Sequence, residues 1–344
     1  MTPKTDNLKL DVLTEYIQRR DNFYQRLGGA WSRTLNQPTD ILEPISVTVD
    51  DIAEINAAAR GVMAVYSELA ILVRQLPRSA LERIGIPETL SSLVDTPSLI
   101  DDLLFARLDF IVNGDGIKMV DCNLDAPGLI VETFEINKLV CSEMRAANPN
   151  QMARQLLSKT LSGAVSSVSR FVGRPVGECN TAVIYGEGFD RDADAADFVR
   201  KVLMESNINA KTASVQDLEF DDDGIYDERA QRVHICVRLY PLAELLNAKI
   251  FHRGNHTKSF DAPVLKRLVQ SRRVFLISTP FAAILESKVM QALTWKLYVE
   301  GVGFSERVRK FIRQYMLPTF FRRRALKASM SQNRRSAGVE AVLP

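Results

Sequence analysis

The sequence predicts an α/β fold with a helical N-terminal region and a small βαβ layer. Apolar residues at helical spacing run through residues 8–35 and 48–76, so the first part of the chain is expected to be helical. Between residues 181 and 214, two short apolar runs flank an amphipathic segment, a pattern typical of parallel strands joined by a crossover helix. An apolar hairpin, residues 105–123, lies between these two regions.

The ends of the longer helices can be read from their terminal residues. Thr48 or Asp50 can cap the second helix, because both side chains accept hydrogen bonds from the free amides of a first turn. Pro280 favours a helix start, so one long helix is predicted over residues 280–300. After Pro318 the sequence becomes basic and loses its apolar pattern, which predicts a flexible tail.

The composition narrows the class of protein and of partner. Of the 344 residues, 46% are hydrophobic and 25% are charged, as in an ordinary globular protein. The net charge is only +2, so no overall positive field points to nucleic acid. The charge is uneven, because residues 301–344 sum to +8 and leave −6 for the rest of the chain. The low net charge therefore argues against a nucleic-acid partner. The basic tail is expected to be a solvated extension, and the alternative is that it binds an anionic partner, including nucleic acid.

The cysteines and the N-terminus predict a compartment. Four cysteines are present and none forms a CxxC pair, which argues against a zinc or redox motif. The N-terminal residues are polar and unlike a signal peptide. The most apolar helical stretch is interrupted by Glu68 and Arg74, whereas a membrane span needs about 20 apolar residues. We expect a reduced, cytoplasmic protein with no membrane partner.

The hairpin has polar residues near its open end, which a strand that only builds a core does not need. Alternate residues of a strand share a face, so Arg107 and Asp109 point the same way on the first strand. By the same rule Asp121 and Asn123 share a face of the return strand. Whether the two polar pairs meet depends on the turn between the strands.

The length of that turn sets the register. A loop of two or four residues places Asp121 opposite Leu108, whereas a three-residue loop places it opposite Asp109. Three-residue loops commonly end in a left-handed residue, and Gly116 suits that position. We therefore predict a three-residue loop over residues 114–116.

The predicted register places two carboxylates side by side, with Arg107 opposite Asn123 one step along. Like charges opposite each other in a sheet are unfavourable, and a raised pKa or a bound cation relieves them. Asp109, Asp121 and the amide of Asn123 form a hard oxygen set, which suits Mg²⁺. Arg107 would face the same ligand as a fork for phosphate oxygens. The alternative is an exposed hairpin in which Arg107 and an aspartate form a solvated pair.

The hairpin and the region after it resemble a known family. "RLDF" followed by "GIKMVDCNLDAPG" is similar to the Arg-x-Asp and Glu-x-Asn strands of the circularly permuted ATP-grasp ligases of the glutathionylspermidine synthase-like family. Asp121 stands where that family usually has Glu. The likeness covers residues 100–320 and implies a circularly permuted, ATP-grasp-like fold with a pre-ATP-grasp layer. The residues that match the motif are Arg107, Asp109, Asn123, Asp125 and Pro127.

The resemblance also implies a reaction. In this family ATP phosphorylates a substrate carboxylate, and an amine then attacks the acyl phosphate to form an amide. Asp109, Asp121 and Asn123 would hold Mg²⁺ against the ATP phosphates. Arg107 would bind the transferred phosphoryl group and stabilise it. The implied substrates are a peptide-like or amino-acid carboxylate and a small amine.

The resemblance places two further residues near the acceptor substrate. They are Asp125, just after the hairpin, and Glu132, in the segment that follows. Glu132 also fits the alternative of an ordinary acid in the first turn of a helix.

The pattern and the resemblance together divide the chain into four segments. In the family, nucleotide-clamping strands with a lysine and a Gly-rich loop follow the long helix, and the basic tail of this chain contains neither. We therefore expect one of three cases: a natural fragment or truncated product of such a ligase, a second chain that supplies these strands, or a non-catalytic remnant that binds a ligand or a partner protein. The segments are a helical N-terminal region (1–100), a metal-binding hairpin with helices of an ATP-grasp-like core (101–175), a pre-ATP-grasp-like layer with the long helix (176–318) and the tail (319–344).

Overall fold

The structure of the chain is a computed structural model, and it describes residues 4–28, 41–96, 98, 103–114, 116–188 and 190–321. The α-helices of these residues are α1 (Lys4–Leu27), α2 (Val49–Arg74), α3 (Arg78–Ile84), α4 (Glu88–Ser91), α5 (Asn137–Glu143), α6 (Ala153–Val172), α7 (Asp190–Met204), α8 (Leu242–Leu245), α9 (Ala262–Gln270), α10 (Pro280–Leu285), α11 (Lys288–Glu300) and α12 (Glu306–Tyr315). The strands are β1 (Arg107–Asn113), β2 (Gly116–Asn123), β3 (Thr181–Tyr185), β4 (Ala210–Ser214), β5 (Glu219–Phe220), β6 (Ile225–Tyr226), β7 (Arg232–Val233), β8 (Ile235–Arg238), β9 (Phe251–His252), β10 (Asn255–Ser259) and β11 (Phe275–Ile277).

A four-stranded parallel sheet lies at the centre of the protein. Its strand order is β11-β8-β3-β4, and α7 crosses over between β3 and β4. The predicted βαβ unit and its parallel sheet are therefore confirmed. A five-stranded sheet of short strands, ordered β10-β9-β5-β6-β7, and the two-stranded hairpin β1-β2 are the other sheets of the described residues.

Hydrophobic cores cover both faces of the parallel sheet. Along β3, Ala182 and Ile184 belong to one core and Val183 belongs to the other. The first core also takes in α2, α11, α12 and the inner face of the hairpin, whereas the second takes in α6 and α7. Burial on both faces explains why the strands of a parallel sheet read as continuous apolar runs in the sequence.

Helix α2 joins the hairpin to the first core. Thr48 rather than Asp50 caps it: the Thr48 hydroxyl accepts a hydrogen bond from the Asp51 amide at 3.0 Å, and the Asp51 carboxylate accepts one from the Thr48 amide at 2.8 Å. This reciprocal capping box satisfies two free amides at once. The buried residues of α2 lie on one face at helical spacing: Ala58, Gly61, Val62, Val65, Tyr66, Leu69 and Val73.

Length and composition would also allow α2 to cross a membrane. The packing of the helix accounts for that composition, because its apolar face lies in the first core and contacts α12 and β2. Its outer face includes the exposed charged residues Glu54, Arg60 and Arg74. This is the arrangement of a core helix.

The segment predicted as one helix over residues 280–300 forms two helices. α10 ends at Leu285 and α11 begins at Lys288, with Glu286 and Ser287 between them. The break brings the Glu286 carboxylate to backbone amides at the exit of the hairpin. Apolar periodicity does not register this break, because the residues on both sides of it are buried.

Other predicted segments fall partly outside the described residues. The first predicted helix, residues 8–35, corresponds to α1, which begins earlier and ends at Leu27, whereas residues 29–40 are not described. Most of the predicted tail lies in residues 322–344, which are also outside the described part. The four-segment division of the chain stays a prediction, and each of the two cores draws on residues from more than one of those segments.

Truncation of Leu69 should destabilise the protein far more than truncation of a neighbour on the outer face of α2. Leu69 is 0% exposed, whereas Ile71 is 60% exposed. We expect Leu69→Ala to lower the free energy of unfolding by about 2–5 kcal/mol, because it removes buried methyl groups and leaves a cavity. Ile71→Ala should change it by less than ~1 kcal/mol. Urea unfolding measures both, and equal losses would contradict the packing of α2.

Candidate functional site

The hairpin turns through a shorter loop than predicted. β1 and β2 pair in antiparallel register, and the last pair is Asn113 with Gly116, which leaves a two-residue loop. The predicted three-residue loop is therefore wrong. Two-residue loops match the natural twist of paired strands, which favours the shorter connection. Gly116 does adopt the left-handed region, with a φ of 110°, which L side chains rarely enter.

A β-bulge restores the predicted pairing at the open end of the hairpin. Phe110 pairs with Met119, whereas Asp109 pairs with Asp121, so Val120 is an extra residue on β2. The bulge shifts the register by one residue, which offsets the shorter loop. The predicted pairing of Asp109 with Asp121 is confirmed, although the backbone achieves it by a different route.

Each of the two carboxylates has its own cation. Arg107 binds Asp109 in a bidentate pair, with Nε 3.0 Å from Oδ1 and Nη2 3.1 Å from Oδ2. Lys288, at the start of α11, donates to Oδ1 of Asp121 at 2.5 Å and to the carbonyl of Val120 at 2.6 Å. The chain itself therefore offsets the repulsion between the two like charges.

Lys288 keeps the Asp121 carboxyl ionised. Burial by itself raises the pKa of Asp121, but the hydrogen bond and charge of Lys288, the Cys122 amide and the charge of Arg107 together hold it below its ordinary value. The Asp121 and Lys288 side chains are 36% and 38% exposed, so solvent screens the pair and its contribution to stability is small. The main effect of the pair is therefore to keep Asp121 ionised, and its contribution to the free energy of unfolding is small.

The same face has the donor chemistry of a Mg²⁺ site. Asp109 and Asp121 supply carboxylate oxygens, and Asn123, paired with Arg107 at the end of the ladder, supplies an amide. The Asn123 Nδ2 is buried and has no hydrogen-bond partner in the described part of the chain. Among the described residues, no three side chains of His, Cys, Asp or Glu form a metal-binding group. Mg²⁺ usually takes one or two carboxylates and completes its shell with water and phosphate, so the residues fit Mg²⁺ shared with a phosphate ligand.

Asp125 is buried and engaged within the chain. It is 2% exposed and forms an ion pair with Arg238, which ends β8 and is 1% exposed. Its second oxygen accepts a hydrogen bond from the Leu242 amide at 2.6 Å. Arg238 also donates to the carbonyls of Tyr240 at 2.9 Å and Ser278 at 3.1 Å. A substrate contact of Asp125 stays a prediction, and it would require one of these bonds to open.

Glu286 holds the backbone that leaves the hairpin. Its Oε2 accepts hydrogen bonds from the amides of Leu124 and Asp125, both at 2.8 Å. Burial raises the pKa of the Glu286 carboxyl, and the charge of Asp125 adds to the rise against the lowering effect of the two amides and Arg238. The exit of the hairpin is therefore held twice, by Glu286 on the backbone and by Arg238 on the Asp125 side chain.

Glu132 begins a π-helical segment, Glu132–Ile136, that leads into α5. Such segments are frequent at functional sites. A cavity of about 470 Å³ opens along this helix, and Phe134, Lys138 and Arg154 are among its lining residues. None of the polar hairpin residues lines it, so this cavity is not the predicted ATP site. A substrate role for Glu132 stays a prediction.

Cys122 lies on the face of β2 that points away from the carboxylates, as predicted, and is fully buried. Burial raises the pKa of its thiol to about 12, so it carries its proton at neutral pH and offers no thiolate nucleophile. The neighbouring Tyr66 hydroxyl has a pKa well above its usual value for the same reason. Both groups fill the space between the hairpin and α2.

Three residues of this arrangement escaped the sequence interpretation. Arg238, Glu286 and Lys288 meet partners that lie 113 to 167 residues away in the chain. Arg238 did give a usable signal, because an arginine inside the apolar run "VHICVRLY" must be paired if it is buried. Glu286 and Lys288 gave none, since charged residues within a helical stretch normally indicate its exposed face.

Loss of the buried ion pair should destabilise the protein strongly. Asp125→Ala leaves the buried guanidinium of Arg238 without its counter-charge, and we expect the free energy of unfolding to fall by about 3–5 kcal/mol. The matched control is Asp197→Ala, because Asp197 is 39% exposed and pairs with Arg200 on the surface of α7. That change should cost less than ~1 kcal/mol. Urea unfolding measures both, and a small loss for Asp125→Ala would contradict a buried pair.

Lys288→Met should raise the pKa of Asp121. Burial raises this pKa, and in the wild type Lys288, the Cys122 amide and Arg107 together outweigh burial and hold the pKa below its ordinary value; the loss of Lys288 removes the larger part of that opposition, so the pKa should rise. A lowered folded-state pKa stabilises the protein above the unfolded pKa, and this contribution is lost as the pH falls through the folded value. The variant should therefore lose less stability than the wild type as the pH falls through this range. Carboxyl NMR titration measures the pKa, with Lys296→Met as control, and an unchanged value would refute the role of Lys288.

Comparison with known proteins bears on the family. A family model described as glutathionylspermidine synthase preATP-grasp matches residues 16–332, which confirms the resemblance seen in the hairpin. A similar solved structure is that of a glutathione synthetase-like effector from Globodera pallida in its apo form, with 11% sequence identity and a TM-score of 0.53. That match covers 89% of this chain and 70% of the effector chain, and at such identity it bears on the fold alone. A search of curated protein sequences gives no match. The family model spans nearly the whole chain, and the structure has the expected helical N-terminal region and parallel sheet. The protein therefore belongs to the glutathionylspermidine synthase family and has its pre-ATP-grasp, ATP-grasp-like fold.

Proposed function

We propose that the protein is an ATP-dependent carboxylate–amine ligase that acts on a peptide-like or amino-acid carboxylate. The supporting observation is the pairing of Asp109 with Asp121 on a face that also holds Arg107 and Lys288. Two facing carboxylates attract cations, and the two basic residues beside them suit phosphate oxygens. Synthases of this family generally use ATP with Mg²⁺. The carboxylate pair suits the metal, and the two basic residues suit the phosphates.

Asp109, Asp121 and Asn123 are the proposed Mg²⁺ ligands. When bound, Mg²⁺ would supply positive charge that neutralises the ATP phosphates. Lys288 donates to Oδ1 of Asp121 on the same face, so its ammonium would add to the positive charge offered to phosphate oxygens.

Arg107 is the proposed catalytic group. The Nε and Nη2 of Arg107 donate to Asp109, so Nη1 of Arg107 remains available to a ligand. Gly128 lies beside this group, since a Cβ built on it would lie 3.4 Å from Nη1 of Arg107, an ordinary van der Waals contact. A planar cation fixed in this way can position the transferred phosphoryl group and offset its developing charge.

The proposed reaction has two steps. The substrate carboxylate attacks the γ-phosphorus of ATP, which forms an acyl phosphate and releases ADP. The amine then attacks the acyl carbon, expels phosphate and loses a proton, which leaves the amide. Asp125 and Glu132 remain the residues proposed to lie nearest the substrate. The cytoplasm is the proposed location, since it supplies ATP, and the four cysteines are buried and free as expected in a reducing compartment.

A second candidate is a non-catalytic protein of the same family that binds a ligand or a partner protein. One observation favours it: the chain itself already pairs Asp109 with Arg107 and Asp121 with Lys288, so both carboxylates have a cation without a metal. For the ligase, we propose that a second chain supplies the nucleotide-clamping strands.

Mg-ATP should raise the melting temperature of the ligase, because a ligand that binds only the folded state stabilises it by mass action. We expect the shift to disappear in Asp109→Asn and to shrink when EDTA removes the metal. Asp197→Asn is the matched control, since Asp197 and Asp109 are both 39% exposed and both pair with an arginine. No shift of the wild type at millimolar Mg-ATP would contradict the ligase and favour the second candidate.

Turnover separates the two candidates further. An acyl phosphate reacts with hydroxylamine to give a hydroxamate, so ADP release coupled to hydroxamate formation with glutathione or free amino acids would support the ligase. Arg107→Lys keeps the charge but loses the fork, and we expect it to lower that rate by at least about 100-fold. Nucleotide binding without any ADP release would favour the binding protein.

A further inference from the structure

The break between α10 and α11 contacts the hairpin at two places. Glu286, within the break, accepts hydrogen bonds from the amides of Leu124 and Asp125 at 2.8 Å each. Lys288, the first residue of α11, donates to the Val120 carbonyl at 2.6 Å. A single bend of the chain therefore anchors the backbone of β2 both before and after its last residues.

Asn123 lies between these two anchors. Its neighbours on one side, Leu124 and Asp125, are 0% and 2% exposed and held by Glu286. Its own Nδ2 is buried without a hydrogen-bond partner among the described residues. The side chain of Asn123 is thus not fixed by a bond of that nitrogen, and its place depends on the backbone that carries it.

We propose that Glu286 is a positioning residue that fixes the backbone after Asn123, so that the Asn123 amide stays on the same face as Asp109 and Asp121. This inference rests on the proposed function, because it concerns the metal role of Asn123. Glu286 itself touches neither the proposed metal nor the phosphates. It acts through Leu124 and Asp125.

The chemistry of the contact determines which variants are informative. One carboxylate oxygen accepts both amides, and hydrogen bonds to an ionised acceptor are the stronger kind. The amide oxygen of a glutamine can accept the same two bonds at the same distance from the backbone. Methionine has a similar length and no strong acceptor, and aspartate keeps the charge but is shorter by one methylene group. If the place of the acceptor oxygen matters more than its charge, glutamine at residue 286 should hold the two amides, whereas methionine and aspartate should not.

Amide hydrogen exchange in the full chain tests the anchor without any ligand. We expect the Leu124 and Asp125 amides to exchange within about threefold of the wild-type rate in Glu286→Gln, whose neutral oxygen accepts somewhat weaker bonds, and at least tenfold faster in Glu286→Met and Glu286→Asp. Glu300→Met is the control, because Glu300 lies at the far end of α11 and its side chain is 48% exposed. Wild-type protection in both Glu286→Met and Glu286→Asp would overturn the inference. The aspartate variant keeps the test decisive if the methionine variant fails to fold.

Mn²⁺ binding in the presence of ATP, followed by electron paramagnetic resonance, tests the consequence for the metal. We expect Glu286→Gln to keep the wild-type affinity within about threefold and Glu286→Met and Glu286→Asp to lose at least tenfold. Wild-type affinity in those two variants would overturn the positioning role alone. A wild-type protein that binds no Mn²⁺ with ATP would overturn the proposed function, and with it the metal role of Asn123.

Discussion

Two carboxylates held opposite each other across a hairpin determine the arrangement of the rest of the site. Like charges directly opposite each other in a sheet are unfavourable. The chain meets this repulsion with Arg107 on the same strand and with Lys288, which lies 167 residues after Asp121. The proposed Mg²⁺ site would add a third cation to a face on which the chain already pairs each carboxylate with a basic side chain.

The geometry of the pair depends on a rigid support behind it. The parallel sheet, covered on both faces by hydrophobic cores, places Arg238 at the end of β8, where it meets Asp125. A fully buried ion pair adds little net stability, since desolvation of the charges offsets most of their attraction. The main effect of the Arg238–Asp125 pair is to fix the position of the segment after β2 against the end of β8. Glu286 fixes the same segment from the helix side.

The proposed ligase and the proposed binding protein share this requirement and differ in what completes the site. Both need the acidic face, the two basic side chains and the fixed exit of the hairpin. The ligase also needs strands that close over a nucleotide, and the described residues supply the cation side of such a site rather than the clamp. Synthases of this family generally use ATP, so membership of the family favours ATP as the ligand. The identity of the carboxylate and of the amine depends on surfaces beyond the hairpin.

By itself the sequence determined the features that depend on near neighbours. The helix α2 with a cap at Thr48 or Asp50, the parallel strands of the central sheet and the shared face of Arg107 and Asp109 on β1 follow from periodicity and end residues. The family motif in the hairpin was likewise readable from local residues. These features depend on backbone geometry over a few residues, so a single chain segment contains enough information for them.

Only the tertiary structure decided the features that depend on distant contacts. The two-residue loop and the bulge at Val120 have opposite effects on register, and no local pattern distinguishes them from the predicted three-residue loop. The helix break at Glu286 and the cation role of Lys288 exist because the hairpin lies against that part of the chain. Asp125 can be buried because Arg238, at the end of β8 in the parallel sheet, supplies its counter-charge. Periodicity reports which face of an element is apolar, whereas the partner of a buried charge is set by how the elements pack.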